Sequence, residues 1–149
     1  MSHILVPAAV LVLWSLLVLL WAAVTRFAAF GRQGVKLDGP DARGKRGQDL
    51  EGMLPPEVMW KSHNFTHLME QPTVFYPVVV ILALTGAGAA DVWLAWAYVG
   101  LRIAHSLWQA LVNTIPVRFL LFTVSTLCLL ALSVRALLAA LNAAPGVVS

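Results

Sequence analysis

His63, His67 and Glu70 recur at i, i+4 and i+7, with Asn64 beside His63. On a helix this spacing sets two imidazoles and a carboxylate on one face over two turns. Such a stripe can ligate a metal or haem iron, since imidazole and carboxylate are ordinary metal ligands. It can equally be the interface of an oligomer. Further along, Arg102 and His105 lie three apart and Gln109 follows four later, again on one face. His105 could bring a third imidazole to the stripe across a helix interface. An Arg102–Glu70 pair would neutralise both charges and shape a polar cleft between the two faces.

These residues stand out because their surroundings are apolar. The chain is 60% hydrophobic and 11% charged with a mean hydropathy of +0.81, whereas soluble domains carry about 25% charged residues. Its 149 residues could form one soluble domain by length, but the apolar stretches exceed what such a domain can bury. An ionisable residue at the centre of a membrane helix costs at least about 2.5–3.5 kcal/mol on insertion scales, so polar residues there carry information. The composition points to an all-α integral membrane protein forming one domain over 1–149.

The elements that would position the stripe follow from the pattern. Ile4 to Thr25 has no charged residue and is long enough to cross a hydrocarbon core. It lacks the basic start and short apolar run of a cleaved leader. Polarity then rises abruptly, and Pro55-Pro56 with Glu57 suit the start of a second helix. Pro72 and Pro77 should bend that helix, and Thr85-Gly86-Ala87-Gly88 should end it in a turn. Trp93, Trp96 and Tyr98 suggest an interfacial belt on the third span. The expected spans are about 4–27, 57–85, 91–112 and 117–141, with a loop over about 28–56 and Pro145-Gly146 beyond the last.

Most of the Lys and Arg lie in or beside that loop, and Arg118 falls on the same side. The positive-inside rule makes this side cytoplasmic and both termini external. Arg135, toward the outer half of the fourth span, must snorkel or pair. The net charge of +3 is a topology signal. Asp38, Asp41, Asp49, Glu51 and Glu57, in or beside the loop, nearly cancel its basic residues, and no aromatics are interleaved for stacking on bases. A nucleic-acid partner is therefore not expected. Cys128 is alone and can form no intramolecular disulfide.

The run Ser62-His63-Asn64-Phe65-Thr66-His67-Leu68-Met69-Glu70-Gln71-Pro72, continuing into Val74-Phe75-Tyr76-Pro77, resembles the second-helix signature of the MAPEG family, the membrane-associated proteins in eicosanoid and glutathione metabolism. It is most similar to the small bacterial branch. Tyr98 to Ser106 resembles the third-helix signature, and Arg118 before Phe119 resembles the Arg that opens the fourth helix. The resemblance covers essentially the whole chain. It implies a four-helix membrane bundle assembled as a homotrimer in the bacterial inner membrane, with sites between subunits on the cytoplasmic side and both termini periplasmic. It also implies glutathione as cofactor and transferase or peroxidase chemistry on lipophilic small molecules.

Carried over residue by residue, the resemblance makes Arg118 the catalytic cation. It would stabilise a thiolate, since a neighbouring cation lowers a thiol pKa from about 8.5 toward neutrality. Glu70 and Arg102 also match. Where glutathione-using members carry an Arg and an Asn on helix two, this chain has His63 and His67. After the helix-three Arg, where they carry tyrosines, it has Ala104 and Trp108-Gln109. Asn64 and His67 join Glu70 and Arg102 as candidate ligand-binding residues. Arg26, Arg32 and Lys61 are candidate cations for the tripeptide's carboxylates. Two alternatives stand beside this reading: a non-catalytic membrane subunit or lipid-binding scaffold, and an intramembrane metal or haem site at His63, His67, Glu70 and His105.

Overall fold

A computed structural model describes residues 3–34, 44, 46, 49 and 52–143. Much of the expected loop, including Lys36, Asp38, Asp41, Arg43, Lys45 and Glu51, lies outside the described residues, as does Pro145-Gly146. The first helix, α1, is Leu5–Gln33. It runs past the expected end near residue 27 because its last turns still have a face to bury. Ala29 and Phe30 pack on Leu54 and Met59, closing a small apolar cluster at the loop end. Gly34 stops the helix with φ 63°, its N–H donating to the Phe30 carbonyl. A positive φ of this kind suits glycine.

The expected second span divides into α2, Pro56–Glu70, and α3, Pro72–Thr85. Pro72 has no N–H to offer the Leu68 carbonyl, so the ladder breaks there. Gln71 nevertheless keeps helical angles, φ −62° and ψ −39°. Pro77 lies inside α3 without ending it. Gly86, at φ 100°, caps α3 and begins the expected turn. α4 is Ala89–Leu111 and α5 is Ile115–Ala143. Asn113, at φ 59°, makes the turn between them, a conformation Asn tolerates better than other side-chain-bearing residues.

The result is a four-helix membrane bundle whose second helix is interrupted. α1, α2 with α3, and α5 are each long and apolar enough to cross a membrane. α4 has 23 residues, about 34 Å at 1.5 Å per residue, and spans by length. Its lower apolarity comes from one face, where Asp91, Tyr98, Arg102, His105, Ser106 and Gln109 are all buried. α4 packs chiefly on α5, and α1 on α2. Lipid supplies no hydrophobic drive between helices, so close approach of small residues matters more. Ala8, Ser15 and Ala22 of α1, Ala95 and Ala110 of α4 and Ser125 and Ala136 of α5 are buried accordingly. Large apolar side chains, Leu13, Leu20, Leu130 and Leu137 among them, are exposed and give the outward faces to lipid.

At the end opposite the loop, Arg135 finds its partner. Its Nε donates to Asp91 Oδ1, while Asp91 Oδ2 accepts the Gly88 N–H at 2.8 Å. One carboxylate thus caps α4 and ties it to α5. Trp93 and Trp96 are exposed as a belt requires, but Tyr98 is completely buried. It shares its helix face with Ala95 and Arg102, and its ring stacks on Phe75 at 4.5 Å.

Candidate functional site

A groove of about 920 Å³ lies between α1 and α2. α1 contributes an apolar wall of Leu19, Ala22, Ala23 and Phe27, ending in Arg26. α2 contributes Ser62, His63, Thr66, His67 and Glu70 with Met59 and Phe65, and Arg46 closes the loop side. Helical periodicity explains the polar side. Ser62, Thr66 and Glu70 follow at intervals of four, with His63 and His67 one position further round. Arg26 donates to Ser62 Oγ at 2.6 Å, so the cation is held across the groove. Among the described residues its buried Nε has no hydrogen-bond partner.

His67 marks the boundary between this groove and the bundle interior. Its Nδ1 lies 3.2 Å from Glu70 Oε2. Behind it stands His105, edge-to-face with ring centroids 6.0 Å apart and only 3% exposed. A partly exposed imidazole beside a carboxylate can accept and release a proton.

Inside, the expected Arg102–Glu70 pair does not form. Arg102 is 1% exposed and donates Nη2 to the His67 carbonyl at 2.8 Å. Its guanidinium lies 5.8 Å from the Phe122 ring centre. Glu70, with a side chain 60% exposed, turns to the groove and to His67. The reason is rotational. Glu70 lies on the groove side of α2, while the long Arg102 side chain meets the inner backbone of α2 one turn earlier. Asn64, one position from His63, also falls inward and is completely buried. It donates to Ser106 Oγ at 2.8 Å, and Trp14 Nε1 donates to the same oxygen at 3.0 Å.

The candidate residues therefore separate. His63, His67 and Glu70 line the groove, whereas Asn64, Arg102 and His105 belong to the interior. Among the described residues no three His, Cys, Asp or Glu side chains converge to hold a metal ion. The set His63, His67, Glu70 and His105 is split because His105 lies behind His67 inside the bundle. Lys61 reaches the Trp21 ring at 5.6 Å and the Glu57 carbonyl at 2.6 Å, and does not line the groove. Arg32 lines a second, smaller groove of about 370 Å³. Arg118, in the first turn of α5, donates to Asn113 Oδ1 and is not among the groove-lining side chains of its own chain.

Three participants were not legible beforehand. Gln71 fills the helix break, donating to Thr126 Oγ1 at 2.7 Å and accepting from the Tyr98 hydroxyl at 3.4 Å. Ser62 and Ser106 serve as acceptors for side chains of other helices. A polar residue directly before a proline within an apolar helix was the available signal for Gln71. Isolated serines carry none.

The model of the MAPEG family matches residues 4–138 of the chain. No curated protein and no solved structure matches it. The matched stretch includes α1 to α4, nearly all of α5, and every candidate side chain placed above.

Proposed function

The chain belongs to the MAPEG family, and from that premise we propose that the groove between α1 and α2 binds glutathione and that the protein uses it on lipophilic substrates. Members of the family include glutathione transferases and peroxidases. The observation that supports this reading is the charge layout of one groove: Arg26 and Arg46 at its loop end, Glu70 farther along, and an apolar wall facing them. Glutathione carries two carboxylates, an ammonium and a thiol. Arg26 and Arg46 take the carboxylates and Glu70 the ammonium. When bound, the tripeptide supplies a thiol nucleophile or reductant. His67 holds or accepts a proton at its imidazole with Glu70 orienting the ring, and Arg118 provides the cation that favours a thiolate. The assembly is a homotrimer in a bacterial inner membrane, with the loop cytoplasmic and both termini periplasmic. Sites lie between subunits, so a neighbouring copy covers the open side of the groove.

A second reading is a non-catalytic, lipid-binding membrane subunit. His63 and His67 favour it, because they replace the Arg and Asn of the glutathione-using members. Titration of the purified protein with glutathione separates the two. Calorimetric heat with thiolate ultraviolet absorbance supports the first, and Arg118→Ala then abolishes the absorbance while Glu70→Gln weakens binding. A wild-type titration with neither signal overturns it in favour of the second.

A further inference from the structure

Arg32 has no described role in the groove above, yet it borders a concavity of its own. This smaller groove of about 370 Å³ lies where the end of α1 meets the start of α2, walled by Val24, Ala28, Arg32, Gln33, Pro55 and Val58. We propose that it seats the headgroup and glycerol region of one anionic phospholipid.

Depth is the first argument. Leu5 to Thr25 contains no charged residue and covers about 30 Å at 1.5 Å per residue, the thickness of a hydrocarbon core. Val24 is therefore at the edge of that core, and Arg32 stands about 12 Å farther along α1, at the outer side of the headgroup layer, from where its long side chain reaches back toward the phosphates. The groove runs from one level to the other. Apolar Val24, Ala28 and Val58 line its inner part, and Arg32 with Gln33 its outer part.

Charge is the second argument. Among the described residues Arg32 makes no hydrogen bond or ion pair, and it is exposed. Guanidinium is the side chain best matched to phosphate, offering two parallel N–H donors. Among the described residues no carboxylate lines the groove to compete for it. Ala28 and Ala29 lack the bulk to fill the space, and Pro55 fixes the opposite wall. A zwitterionic lipid would bring its own cation toward Arg32, so the seat favours a net anionic headgroup.

Native mass spectrometry of the intact protein, taken from mixed micelles of phosphatidylglycerol and phosphatidylcholine, tests this. The wild type is expected to retain phosphatidylglycerol at least about ten-fold over phosphatidylcholine, at up to one lipid per chain. Arg32→Ala should lose that preference, and Arg32→Lys should keep most of it. Ala28→Leu, which fills the groove from an exposed position and leaves the charge in place, should also lose retention, with its thermal melt confirming the fold. Equal retention of both lipids by the wild type overturns the proposal. So does unchanged preference in Arg32→Ala, or unchanged retention in Ala28→Leu, which would reduce the effect to diffuse charge. None of these outcomes depends on glutathione binding.

Discussion

Arg102 of α4 holds the backbone carbonyl of His67 on α2 at 2.8 Å. A permanent cation in the middle of the bundle is thus anchored on a peptide group instead of a carboxylate. The contact lies one turn before the break at Gln71, so α4 grips α2 where the backbone ladder is weakest. The same His67 presents its imidazole to the groove and to Glu70. The backbone of one residue serves the interior while its side chain serves the site.

Because Arg102 and Glu70 are not paired, their removal should be nearly independent. In detergent melting, the losses of Arg102→Leu and Glu70→Leu are expected to add to within about 0.5 kcal/mol in the double variant. A larger coupling would show that the two charges compensate each other directly.

Asp91 serves two partners and Arg135 one. Asp91→Ala removes both the link to Arg135 and the acceptor for the Gly88 N–H, and loss of a helix cap alone costs about 1 kcal/mol. Asp91→Ala should therefore melt at a lower temperature than Arg135→Ala. The reverse order would mean that leaving the buried Asp91 carboxylate without its cation outweighs loss of the cap.

Gln71 bridges three helices from the break. Hydrogen bonds between membrane helices average about 0.6 kcal/mol, and its two bonds run to Thr126 and Tyr98. Thr126→Val is expected to cost about that much, and Gln71→Leu more. A double-mutant cycle should return a coupling near the single-bond value, and a zero coupling would remove the bridge from the account.

Ala23 faces the large groove from α1. Ala23→Trp should fill it and abolish glutathione binding with little change in melting temperature. Arg26→Ala should weaken binding on the order of ten-fold by removing a carboxylate partner, about 1.4 kcal/mol. Calorimetry on both variants checks this. Undiminished binding in Ala23→Trp would place the ligand elsewhere.

Four spans return the chain to the side on which it began. A reporter fused after Ser149 that is active only in the periplasm should give signal, and one active only in the cytoplasm should not. The opposite result would invert the assignment of the basic loop.

Much of the fold was legible because bilayer chemistry acts on every residue separately. Uncharged stretches of membrane length, Pro55-Pro56 before a helix and the Gly86 turn each carry their meaning locally. The inward face of α4 was also readable, since Arg102, His105 and Gln109 share an angle on their own helix and cannot face lipid. Periodicity stops at that angle. It does not encode how far a neighbouring helix is rotated or displaced, and those two quantities choose the partners. They set Arg102 against the His67 carbonyl, turned Asn64 inward while His63 and Glu70 faced the groove, and put Arg32 on a different concavity from Arg26. The length of α1 was likewise decided by a tertiary contact, since Ala29 and Phe30 remain helical over a surface supplied by Leu54 and Met59. Residue types and spacing determined a membrane bundle with a polar interior; the relative rotation of packed helices decided which of its polar groups meet.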